Sequence, residues 1–137
     1  MKASTLPFFI FALFITACSS PEPPRRFLTA PMAIAYTENG EKKGETLRIR
    51  PVDLYHLFDT NVKKKWKKVH ENSWSLIIDG RNTATGKVNR MVITLVVDPD
   101  LNDAIVVREM RESGRKFSAD EAAQLTRTLD KAFTPMR

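Results

Sequence analysis

Few residues of this chain have the types and the spacing that catalysis needs. The two histidines, His56 and His70, stand far apart, and neither has a cysteine or a second histidine near it. The sequence also lacks the glycine-rich phosphate loop, the serine nucleophile elbow and the paired-histidine zinc motif. We therefore predict that the protein is not an enzyme and that it binds no dissociable cofactor.

One acidic segment has the spacing of a calcium-binding loop. The places of such a loop that supply side-chain ligands are held by Asp98, Asp100, Asn102 and Glu109. The place that needs glycine for a sharp turn holds Asp103, and the residues that follow read as a strand. We therefore predict an acidic hairpin turn and no metal site, with calcium binding as the alternative.

A run of lysines around Trp66 is the strongest local charge feature. If the run is helical, its outer face carries Lys63, Lys64, Lys67 and Lys68. Such a face can bind anionic headgroups or an acidic protein surface, or it can simply be solvated. Arg25 and Arg26 form a second basic pair that can assist the lysines or contact lipid phosphates.

The first residues have the pattern of an export signal. Lys2 precedes an apolar run over 6–15 that is too short to span a bilayer. The run leads into Ile15-Thr16-Ala17-Cys18, which resembles the lipobox of bacterial lipoproteins. The resemblance implies cleavage before Cys18, diacylglycerol on its thiol and acylation of its new amino group. The alternative is an ordinary signal cut near Ala17, which would leave the only cysteine of the chain as a free thiol.

The resemblance also implies a location. Ser19 follows the cysteine where aspartate would retain a Gram-negative lipoprotein in the inner membrane, so we expect sorting to the outer membrane with the domain facing the periplasm. Residues 1–17 are then the signal peptide, and the proline-rich residues 18–26 form a short extended tether. Residues 27–137 suffice for a single domain.

The mature chain shows both strand and helix patterns. Alternating apolar residues predict strands at 31–37 and 46–50 with a turn at 39–44, and apolar residues at every third or fourth position predict a helix over 51–69. Further strands are predicted at 74–78, 90–97 and 104–110. A final helix begins at a capping box of Ser118 and Glu121, and its buried stripe is Ala122, Leu125, Leu129 and Phe133.

The order ββαβββα predicts an α+β fold, in which about five antiparallel strands form one sheet and two helices pack on one face. The chain is basic, with a formal net charge of +6. An exported protein seldom meets nucleic acid, so we do not expect nucleic acid as a partner.

Together these features predict a non-catalytic outer-membrane lipoprotein that docks an envelope protein. Its plan is similar to that of the small lipoproteins that serve secretion or conjugation machines, which suggests an accessory or assembly factor of a trans-envelope apparatus. The alternative is a direct binder of anionic envelope lipid or glycan through the lysine-rich face. Salt separates the two hypotheses, because purely ionic binding weakens as ionic strength rises.

Overall fold

A computed structural model describes residues 21–58, 62–81 and 84–133. The predicted signal peptide, the lipobox and Cys18 lie outside these residues. Within the described ranges, no helix is long and apolar enough to cross a membrane.

The chain forms a mixed sheet with short helices. The strands are β1 Met32–Glu38, β2 Glu41–Thr46, β3 Lys63–His70, β4 Ser73–Arg81, β5 Val88–Asp98, β6 Ala104–Glu112 and β7 Arg115–Lys116. The helices are α1 Arg25–Leu28, α2 Pro51–Leu57 and α3 Ala119–Ala132, and a 3₁₀ turn covers Pro99–Leu101. The strand order is β2-β1-β6-β5-β4-β3, with β7 beside β6.

The α+β class is confirmed, but the predicted number and order of strands are wrong. Over the described residues the sheet has seven strands, and β1 runs parallel to β6 while the other neighbours are antiparallel. The β1–β2 hairpin lies early in the chain and β6 lies late in it. No local sequence pattern predicts pairing between segments that are so far apart. Two of the additional strands, β3 and β7, are polar, and so are not recognised from apolar alternation.

The main core lies between one face of the sheet and the helices. Leu76, Ile93 and Leu95 stand at its centre with no measurable exposure. α2 contributes Leu54, and α3 contributes the predicted stripe that includes Leu125. The capping box of Ser118 and Glu121 is confirmed, since each residue accepts a hydrogen bond from the backbone amide of the other.

The opposite face of the sheet, here called the open face, carries a second and smaller cluster. The 3₁₀ turn folds over this face near β1 and β2, so that Leu101 packs beside Ala33 and Val106. A Cβ atom on Gly44 would stand 3.2 Å from Leu101 Cδ1, so a larger residue there would require the Leu101 side chain to shift. The main core includes side chains from α1, α2 and α3, which places these helices on the other face.

The first hairpin is tighter than predicted. Asn39 and Gly40 both have positive φ, of 53° and 80°, as a two-residue hairpin turn requires. β2 therefore begins at Glu41, and the predicted strand at 46–50 is wrong. Leu47 and Ile49 follow β2 in a segment without regular secondary structure, and they are buried because they enter the main core, not because they alternate along a strand.

The predicted helix over 51–69 is also wrong. α2 ends at Leu57, and the chain then returns as strand β3. Tyr55 and Trp66, two residues of the apolar pattern on which that prediction rests, do meet, with ring centroids 6.1 Å apart in a stacked arrangement. They meet across the pair formed by α2 and β3, and not along one helix.

A carboxylate on α3 holds the segment between β2 and α2. Asp130 Oδ1 accepts hydrogen bonds from the backbone amides of Arg48, at 2.8 Å, and of Ile49, at 3.0 Å. The guanidinium of Arg48 in turn donates to the carbonyl oxygens of Asp130 and Phe133. This clamp joins the last helix to a segment that has no regular secondary structure of its own.

Candidate partner-docking site

The lysines of β3 are divided between the two faces of the sheet. In the register with β4, Lys64 and Trp66 lie opposite Ile78 and Leu76, which belong to the main core. Because side chains alternate along a strand, Lys64 and Lys68 are on the core side, and Lys63, Lys65 and Lys67 are on the open face. The prediction that Lys63, Lys64, Lys67 and Lys68 share one face is therefore wrong, because it assumed a helix.

Lys64 has a structural role. Its Nζ donates to the carbonyl oxygen of Tyr55 at 2.9 Å and to that of Phe58 at 3.2 Å, and it lies 4.4 Å from the centroid of the Tyr55 ring. These carbonyls end α2, where a cation offsets the negative end of the helix dipole. Lys64 thus fixes β3 to the helix and is not free to bind a ligand.

The three lysines on the open face have no ion pair within the described ranges. The nearest carboxylate by register is Asp79, opposite Lys63. Its two oxygens accept from Arg90 Nε at 2.8 Å and from Arg90 Nη2 at 3.0 Å. These hydrogen bonds hold the pKa of Asp79 below its usual value, so the carboxylate stays charged and is already neutralised by arginine. Lys63 and Lys65 lower this pKa further through space, but a single carboxylate that is already bonded to Arg90 leaves the group of three lysines with a net positive charge.

The residues next to these lysines form short rows across the open face. Lys67 lies beside Ser75 and then Thr94, whose hydroxyls are 2.7 Å apart. Lys65 lies beside Ile77 and then Val92, so the margin of the face combines positive charge with aliphatic and hydroxyl groups.

Strand β3 is also an edge of the sheet. It pairs with β4 from Lys63 to His70, and no strand of the described chain pairs with its other side. We call the outer side of β3 together with Lys63, Lys65 and Lys67 the basic edge. On that side its backbone N–H and C=O groups have no strand partner among the described residues, and they lie beside a row of lysines.

Arg25 and Arg26 lie apart from Lys63. Both are exposed on α1, a helical turn where the sequence predicted extended tether. Arg26 lines a cavity of about 640 Å³ together with Glu71 and Asn72, which form the turn after β3. The arginines are therefore near the end of β3 that is remote from Lys63, and the structure does not gather the six predicted basic residues into one site.

The calcium-loop residues do not converge. Asp98 forms an ion pair with Lys42 and accepts a hydrogen bond from the amide of Asp100 at 3.0 Å. Asn102 lies in the turn after the 3₁₀ segment. Glu109 pairs with Arg111, and its register partner Thr94 is about 13 Å along β5 from Asp98. Among the described residues, no three acidic, histidine or cysteine side chains form a group that could hold a metal ion.

Comparison with known proteins adds no further information on function. No protein-family model matches the chain, and no curated protein or solved structure matches it. The position of the basic edge is therefore the main structural observation that bears on function.

Proposed function

We propose that this protein is a non-catalytic lipoprotein of the outer membrane that docks a protein partner on the periplasmic side. In this proposal Cys18 carries the lipid, and the domain that begins near α1 stays within reach of the bilayer. The partner belongs to a trans-envelope secretion or conjugation apparatus, in which the chain serves as an accessory or assembly factor.

The observation that supports docking of a protein is the position of the lysines on a free strand edge. A lysine-rich helix presents only its charged side chains, because its backbone groups bond within the helix. A strand edge also presents backbone N–H and C=O groups, which another polypeptide can pair with directly. The basic edge therefore suits a protein better than a headgroup or a glycan.

Capture of the partner from membranes tests this function. The lipidated chain is crosslinked in cells and purified with its neighbours, in the wild type and in a variant with Lys63, Lys65 and Lys67→Glu. We expect one envelope protein, in stoichiometric amount, with the wild type and at least about tenfold less with the variant, because each reversed lysine repels an acidic surface.

A charge-matched variant controls for net charge. Lys43, Lys87 and Lys131→Glu makes the same change in charge at exposed positions outside β3, and we expect it to retain the partner. Equal loss from both variants would contradict docking at the basic edge. Recovery of anionic lipid with no protein, lost as salt rises, would support the polyanion hypothesis instead.

A further inference from the structure

The basic edge has a straight stretch long enough to pair with another strand. Residues Lys63 to Lys68 match β4 one for one, and the register shifts only between Lys68 and His70. Six residues in regular pairing span about 20 Å and approach the usual length of a strand in a sheet. Along this stretch, alternate residues direct their N–H and C=O groups away from β4.

The edge is held in place before any partner arrives. Trp66 is buried at 8% exposure in the main core, and Lys64 is bonded to the end of α2. These two residues alternate with Lys63, Lys65 and Lys67, so anchoring on the core side fixes the direction of the three free lysines. A preformed strand loses less conformational entropy when it binds than a flexible segment does.

The charges on the edge select the sequence that can pair there. A second copy of β3 would place lysines against lysines, and like charges directly opposite each other are destabilising. The same lysines discourage the edge from pairing with neutral strands, which is a common protection against aggregation. An incoming strand with glutamate or aspartate at alternate positions would meet Lys63, Lys65 and Lys67 at about 5 Å between Cβ atoms.

We propose that the partner contributes an extended acidic segment that adds to the sheet as a strand beside β3, with its carboxylates at alternate positions facing the three lysines on the open face. This inference rests on the proposed docking function and specifies its mode. The bonds between the two backbones hold the segment, and the lysines select its sequence and register.

Amide hydrogen exchange of the full chain in nanodiscs of phosphatidylcholine tests this mode. The probe is a peptide in which glutamate alternates with valine. The matched control peptide has the same sequence with every backbone nitrogen methylated, so it has the same charge but no N–H to donate, and its N-methyl groups obstruct a ladder on either side. With the valine peptide we expect exchange about tenfold slower at alternate amides between Lys63 and Lys68, because those amides gain an acceptor.

The control peptide and the lysine variant distinguish strand addition from other modes of binding. The N-methylated peptide is expected to leave exchange in β3 unchanged, and Lys63, Lys65 and Lys67→Glu is expected to remove the effect of the valine peptide. Equal effects of the two peptides, or binding without slower exchange in β3, would overturn strand addition. Binding to phosphatidylglycerol vesicles but not to the valine peptide would overturn it in favour of a lipid.

Failure of this mode is distinguishable from failure of the function. If the membrane capture yields the partner but the valine peptide leaves the exchange unchanged, docking stands and strand addition is wrong. If the capture yields no protein, the docking function itself is wrong, whatever the peptide does.

Discussion

Asp130→Ala should lower the free energy of unfolding by about 3 kcal/mol, because two backbone amides lose a charged acceptor at once. The amides of Arg48 and Ile49 both donate to Asp130 Oδ1. The amide of Ile49 is partly buried, so water replaces the lost acceptor only in part. The loss would separate α3 from the segment that leads into α2.

Denaturant unfolding of the full chain in detergent measures this effect through the fluorescence of Trp66 and Trp74, both in the main core. Asp130→Asn keeps an oxygen acceptor and should lower the free energy of unfolding by about 1 kcal/mol. Lys131→Ala, an exposed neighbour on α3, should change stability by less than about 0.5 kcal/mol. If Asp130→Ala lowered the free energy of unfolding as little as Lys131→Ala does, the clamp would not contribute to stability.

Lys64→Glu should also cost about 3 kcal/mol of stability, because it replaces a charged donor with a carboxylate that faces two carbonyl oxygens. The lost contacts are those to the carbonyls of Tyr55 and Phe58. Lys64→Met keeps the aliphatic part of the side chain over the Tyr55 ring, and should cost about half as much.

Lys67→Glu is the matched control, since it makes the same change of charge on the open face of the same strand. Lys67 is exposed on the open face opposite the neutral Ser75, so its reversal should change stability by less than about 0.5 kcal/mol. The same denaturant measurement applies to all three variants. On a single helix over 51–69, both lysines would face solvent and would behave alike. Equal effects would therefore contradict the assignment of β3.

The elements predicted correctly are those with local signals. The capping box at Ser118 and Glu121 and the apolar stripe that includes Leu125 lie within a few turns of one helix. Central strands such as β5 are also recognisable, because their apolar residues are dense. These elements are predictable because their stabilising contacts join residues that are near each other in sequence, or because their apolar residues form a dense pattern.

The elements missed are those at the margins of the sheet. β2 buries no residue, and β3 buries only Trp66, so neither shows the apolar alternation of a half-buried strand. The spacing of the lysines around Trp66 therefore predicts a helix face, which puts Lys64 on the wrong side. The clamp at Asp130 was missed because its amide partners are 81 and 82 residues away in sequence. No local pattern connects them.

The most direct test of docking at the basic edge is photocrosslinking in living cells from a reactive amino acid at position 65. The same residue placed at position 43 of β2 is the control on the opposite edge of the sheet. We expect position 65 to give one discrete protein adduct in the envelope fraction, and position 43 to give little of it. Docking at the basic edge is contradicted if both positions give the same adducts, or if position 65 gives only lipid.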